Sequence, residues 1–248
     1  MTYSDRQTFF EIKEEKIISA PYPNNVSNNN DNENSTSMHQ RRICRFENIY
    51  LLKDIPAEGP FDMPKCEPVH IKRIPGSFVP YCCLSSHTKS NIGVHFFIHD
   101  YRFHHIWGRL EQTIKALRRF ELVLSTDDSV FLDAPLIANL HSIYKSRVFT
   151  AVGQRLGVNV VPTFTCGSPN DIDYYCDGLP ERSCIAVGGM GTNKSESIQA
   201  IFRYCVQEMC KRKHPELLLI YGSNTKLDVD TPIIRISPFI GKFKKTNV

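Results

Sequence analysis

LVLSTDDSVFLDAPLIANLHSIYKSRVFTAVGQRLGVNVVPTF, residues 122–164, sets an apolar run, a helical segment and a second apolar run in succession. The flanking runs 122–125 and 158–164 are short and apolar almost throughout, the pattern of strands buried on both faces. Between them Ile137, Leu140, Tyr144, Val148 and Val152 recur at helical spacing, and Gly157 follows where a left-handed C-cap is needed. A strand, a helix and a strand in that order predict two parallel strands joined by a right-handed crossover.

The same unit repeats outward. Apolar runs at 94–98, 184–188 and 217–221 complete a set of five strands. Trp107, Leu110, Ile114 and Leu117 form one helical face, and Ile198, Ile201, Cys205 and Met209 another. Ser195 with Glu196 marks the start of the last helix, and Pro215 after His214 marks its end. The expectation is an α/β fold over residues 93–222: an open, mostly parallel sheet of about five strands with helices on both faces. An eight-fold barrel would need more helices than the sequence offers.

Around that core, residues 41–91 carry Pro56, Pro60, Pro64, Pro68, Pro75 and Pro80, which discourage helix and predict an irregular flank laid on the sheet, with short extended pieces at 69–74 and 78–84. Residues 24–38, NNVSNNNDNENSTSM, have almost nothing to bury and read as a flexible linker. The resulting organisation is an N-terminal arm and linker at 1–40, the Pro-rich flank at 41–91, the α/β core at 92–225 and a C-terminal extension with a basic tail at 226–248. Phe9, Phe10, Ile12, Ile17 and Ile18 within the arm suit a short helix or a docking segment.

A chain of 248 residues, 41% hydrophobic and 23% charged, has the composition of a globular protein that builds a core by packing. Its net charge of +4 is compatible with a polyanionic partner without forming a basic stripe. No signal segment opens the sequence, and no apolar run is long enough to span a membrane. The nine cysteines therefore read as reduced thiols, several of them buried, in a cytoplasmic protein.

Ligands of parallel α/β sheets bind outside the carboxyl ends of the strands, which selects the loops. Asp100 and Arg102 follow the first run, Asp127, Asp128 and Ser129 the second, Thr165 and Cys166 the third, and Gly189, Gly191, Thr192 and Lys194 the fourth; Tyr221 closes the fifth. Asp100 and Asp127 are candidate catalytic carboxylates, able to act as acid and base or to hold Mg²⁺, while each is equally a turn or N-cap residue. The turn GGMGTNKS, residues 188–195, has the glycines of an anion cradle but lacks the spacing of a P-loop or a GxGxxG fingerprint. Arg102, Ser129, Arg147, Gly189, Gly191, Thr192, Lys194 and Tyr221 are the candidate ligand-binding residues. Arg147 either reaches an anion or Asp127 over the sheet edge, or lies on the surface. His99, His104, His105, Cys66, Cys82, Cys83 and His70 match no usual zinc spacing, so no metal ligand is assigned. Cys166 is the one thiol placed like a nucleophile.

Several of these stretches together resemble a known family. An Asp-Tyr-Arg-Phe run at 100–103 before Trp107, a Ser-x-Asp-x-Ser turn at 125–129, Val161 with Pro162, a Gly-x-Pro turn at 178–180, and Tyr221 with Gly222 occur in the order seen in DUF4417, a bacterial and phage domain of unknown function. The resemblance covers about residues 60–225. Two positions depart from the pattern: His99 stands where an acidic residue is common, and Thr165 and Cys166 replace a frequent aromatic. The resemblance implies a phage or mobile-element setting and names no activity.

Two functions compete. One is a protein, catalytic or not, that binds a phosphorylated or nucleotide-like small anion at the strand ends. The other is a non-catalytic nucleic-acid- or protein-binding accessory or structural component using Arg41, Arg42, Arg45, Lys242, Lys244 and Lys245.

Overall fold

The computed structural model describes residues 46–85, 88–192 and 195–238. The N-terminal arm and linker, the two basic clusters and Lys194 lie outside the described residues. The chain divides into a unit of residues 1–57, in which Phe46–Leu52 form a 3₁₀ helix, and a unit of residues 58–248 that holds the sheet.

The larger unit is α/β, and pairing within its two four-stranded sheets is parallel. The strands of those sheets are β1 (Phe78–Pro80), β2 (Gly93–Phe96), β3 (Leu122–Thr126), β4 (Val160–Val161), β5 (Thr163–Phe164), β6 (Cys184–Gly188), β7 (Leu217–Tyr221) and β8 (Ile233–Ile236). Two four-stranded sheets, β1-β2-β3-β4 and β8-β7-β6-β5, meet in the extended segment 160–164. Pro162 divides that segment because it has no N–H to give to a ladder. Val160 and Val161 pair with Val123 and Leu124 on one side, and Thr163 and Phe164 pair with Ala186 and Val187 on the other.

All five expected runs are strands, and the sheet gains β1 and β8 at its edges. β1 supplies only residues 78–80 of the extended pieces expected in the flank. β8 lies in the stretch read as an extension. Strand order follows chain order from β1 to β8.

That order decides where the helices go. They are α1 (Leu110–Leu117), α2 (Leu136–Arg155), α3 (Ile172–Cys176) and α4 (Glu196–Lys213). Successive right-handed crossovers that always advance in one direction leave the sheet from the same side. Accordingly α1 touches α2, α2 touches α3 and α3 touches α4, in one layer. Helices on both faces would need the strand order to reverse, and it does not.

The opposite face is covered by the Pro-rich flank. Val69, Ile71 and Ile74 pack on Leu122, Leu124, Ala186 and Leu219. The flank is stitched down where Cys184 N–H donates to the Val69 carbonyl at 2.8 Å and Val69 N–H donates to Ser183 Oγ at 2.9 Å.

The sheet is also strongly coiled. Rings of His95 and Tyr221 have centroids 4.3 Å apart, and those of Phe97 and Tyr221 lie 5.0 Å apart. Tyr221 ends β7, four strand steps from β2, a separation of about 19 Å in a flat sheet. Coiling brings the two together, while β1 and β8 each pair on one side alone among the described residues, so the sheet stays open.

Helix phasing follows local chemistry. Leu136 rather than Ile137 turns inward with Leu140 and Ile143, leaving Ile137 exposed in the first turn. Gly157 adopts φ +76° after α2, Ser195 Oγ accepts the Ile198 N–H at the start of α4, and His214 ends that helix in the left-handed region. No helix among the described residues is long and apolar enough to cross a membrane.

Candidate functional site

The carboxyl ends of β2, β3, β5, β6 and β7 surround a cleft of about 880 Å³. Its polar floor and end hold His99, Arg102, Asp127, Ser129, Thr165 and Tyr221. Its apolar wall is one stripe of α4, Ile198, Ile201, Phe202 and Cys205, facing Val130, Phe131 and Leu132 of the loop after β3. Phe131 and Met190 stand exposed at the mouth.

Asp127 sits on the floor. The Thr165 hydroxyl donates to its Oδ1 at 2.7 Å. Burial is the main cause that pushes this carboxyl up to about 7; the charges of Asp128 and Asp100 add to the rise, and the Thr165 hydrogen bond opposes it. No lysine or arginine among the described residues forms an ion pair with it.

The loop that carries Asp127 is held at several points. Asp100 lies outside the cleft lining and accepts from the Ser129 N–H at 3.1 Å with Oδ2 and from the Ser129 hydroxyl at 2.9 Å with Oδ1. From α2, Asn139 Oδ1 accepts the Phe131 N–H at 3.0 Å while its Nδ2 donates to the Phe131 carbonyl at 2.8 Å. Ser142 Oγ donates to the Ser129 carbonyl at 2.9 Å. Lys145 forms an ion pair with Asp128, which is 2% exposed. Asp128 is thus committed to Lys145 and caps no helix. Burial raises its carboxyl, and the Lys145 charge opposes that.

Arg147 is absent from the cleft. It is fully buried, and its guanidinium donates from Nε to the Asp177 carbonyl at 3.0 Å, from Nη1 to Thr163 at 2.9 Å and from Nη2 to Tyr175 at 2.9 Å. With its nitrogens committed to backbone oxygens it can reach neither an anion nor Asp127. The surface alternative fails as well, because a planar fork matched to three buried carbonyls is a packing device.

The glycine turn after β6 is closed on itself. Gly189 N–H donates to the Tyr221 carbonyl at 2.8 Å, and a Cβ there would come within 2.2 Å of Ser223 Cβ, so glycine is required by close packing rather than by a ligand. Thr192 Oγ donates back to the Gly189 carbonyl at 2.8 Å. Gly191, at φ +80°, and Thr192 nevertheless line the cleft.

Other chemistry suggested by residue type does not assemble. Among the described residues no group of three or more His, Cys, Asp or Glu is arranged to hold a metal ion, and His70 pairs with Glu216 at 2.8 Å. The Cys166 thiol lines the cleft, but its hydrogen bond with Cys205, followed by burial, pushes its pKa far up and keeps it protonated. His95, behind Tyr221, is lowered by burial to about 4 and stays neutral.

Sequence reasoning missed the Thr165–Asp127 bond, the α4 wall and the polar stripe Asn139, Ser142 and Lys145. The stripe had a readable signal, since its members fall three residues apart on α2.

Comparison with known proteins places this architecture. The family model for a domain of unknown function, DUF4417, matches residues 55–238. The chain belongs to the DUF4417 family. The match reaches from the flank through β8, so every strand of the coiled sheet lies inside the DUF4417 domain.

Among similar proteins, the Gene 1 protein of Mycobacterium phage D29 is 31% identical over 182 residues, 72% of this chain and 66% of its own length. The Gene 1 protein of Mycobacterium phage L5 is 34% identical over 152 residues, 61% of this chain and 66% of its own length. The match thus spans just under two thirds of each relative. No solved structure matches.

Proposed function

We propose that this DUF4417 chain binds a small phosphorylated or nucleotide-like anion in the cleft at the strand ends, with Asp127 giving or taking a proton. Asp127 carries the reading: a carboxyl without a cationic partner on the floor of a large cleft, poised at about 7, is half protonated near neutral pH. An anion has to be held among four aspartates in the neighbourhood, Asp100, Asp127, Asp128 and Asp133. Lys145 neutralises Asp128, Asp100 is spent on Ser129, and a protonated Asp127 is a hydrogen-bond donor. Arg102 is the one lysine or arginine among the described lining residues, and the exposed Asp133 lines the cleft with it. The apolar stripe of α4 and Phe131 offer a surface for the body of such a molecule.

The test is mass spectrometry of small molecules released from the purified protein, paired with thermal shifts against inorganic phosphate and nucleoside mono- and triphosphates. The expected result is a retained phosphorylated compound, or a rise in Tm, that is lost in Arg102→Ala and altered in pH dependence in Asp127→Asn. No retained phosphorylated compound and no shift with any of these probes overturns the reading.

A further inference from the structure

The two oxygens of Asp127 are not equivalent. Oδ1 accepts the Thr165 hydroxyl at 2.7 Å, and Thr165 stands directly after β5, the segment that runs beside β3. Oδ2 accepts no hydrogen bond from the described residues. It lies beside Gly188, where a Cβ would come within 2.9 Å of it, and both residues line the cleft. One oxygen is therefore occupied, and the other faces a position kept clear by the absence of a side chain.

We propose that Thr165 is a positioning residue: by donating to Asp127 Oδ1 it reserves that oxygen and makes Oδ2 the atom that carries and exchanges the proton in the cleft. The inference rests on the cleft being a ligand site, and it names the atom that would face the ligand. An oxygen that already accepts a hydroxyl is a poorer place for the acid proton, so the neutral acid keeps its O–H at Oδ2, where it donates to a ligand oxygen. When the proton leaves, the Oδ2–H bond breaks, the ligand oxygen gains the proton, and the electron pair stays on the carboxylate. The negative charge is shared with Oδ1, where the Thr165 hydroxyl stabilises it. Thr165 thus favours the ionised form while fixing where the proton goes, consistent with its lowering influence on a carboxyl that burial raises.

The experiment is a ¹³C-carboxyl NMR titration of the full chain, with the Asp127 resonance assigned by its loss in Asp127→Asn. Thr165→Val keeps the shape and removes the donor; Thr165→Ser keeps the donor. The expected result is a pKa for Asp127 higher by about one unit in Thr165→Val, the size of one hydrogen bond to a charged group, and a return toward the parent value in Thr165→Ser. An unchanged titration in Thr165→Val, or an upward shift in Thr165→Ser as large as that in Thr165→Val, overturns the proposal. Both outcomes are read without any ligand. They are distinct from failure of the functional reading, which would show as an Asp127 that titrates in the ordinary carboxylate range in the parent chain or as no response to the phosphate probes.

Discussion

Asp100 grips Ser129 with both carboxylate oxygens, one on the backbone N–H at 3.1 Å and one on the hydroxyl at 2.9 Å, and so ties the turn after β2 to the loop after β3. Asp100, expected to do chemistry, thus holds in place the loop that carries Asp127. Replacing Asp100 with alanine removes both bonds in a solvent-exposed setting, a loss of about 1–2 kcal/mol. The Ser129 amide should then exchange with solvent faster than in the parent chain. Asp100→Asn should also lower the pKa of Asp127, because the Asp100 charge contributes to its rise. Unchanged exchange at Ser129 counts against the loop-anchoring role.

Asp127 makes stability depend on pH in a defined direction. Its folded pKa of about 7 lies above the ordinary value of 3.8. Between those values the folded chain holds a proton that the unfolded chain has released, so stability falls as pH rises through that window. The contribution is full below the lower value and lost above the upper one. Asp127→Asn has no such proton. Its Tm relative to the parent should rise with pH from the lower value of 3.8 and level off above about 7, which thermal melts at matched ionic strength would read. A difference that is flat with pH would mean that the carboxyl does not titrate there.

Arg147 supports three backbone carbonyls inside the core, on the segments at Thr163, Tyr175 and Asp177. Arg147→Ala leaves those oxygens buried without donors and should cost at least about 3 kcal/mol. Arg147→Lys should recover little of it, since a compact ammonium cannot span the fork. Urea unfolding measures both variants, and a lysine variant with the parent midpoint would argue against the clamp.

Periodicity reads what is local, and this explains how much of the fold and site was legible. The five apolar runs and three helical faces follow from residue types within a few positions of one another, as do the caps at Gly157 and Ser195. The side on which each helix packs depends on strand order, a non-local property that the spacing of Ile137 or Ile198 does not encode. The distinction between Asp100 and Asp127 was hidden for the same reason. Both follow strands, and only the coiling that seats Asp127 against Thr165 and turns Asp100 toward Ser129 separates a cleft-lining carboxyl from a loop anchor. Arg147 was misread because nothing in the run YKSRVF shows that the middle of α2 is buried nearly all round, from Ser146 to Gly153.

Lys145 and Asp128 form an ion pair in which the side chains are 12% and 2% exposed, so neither charge is well solvated. Removing one partner of such a pair strands the other, at a cost of about 3–5 kcal/mol. Lys145→Met keeps the stem that packs beside Trp107, whose ring lies 5.8 Å from the ammonium, and deletes only the charge. Asp128 is already raised by burial against the pull of Lys145, and losing that pull raises it further. The destabilisation should therefore be largest at alkaline pH, where Asp128 must stay ionised to match the unfolded chain. It should shrink as pH falls and Asp128 takes up a proton in the folded state. Denaturant midpoints of the parent and Lys145→Met, compared at an alkaline and at an acidic pH, would show the gap narrowing on acidification. A gap that widens toward low pH would exclude a stranded carboxylate as the cause.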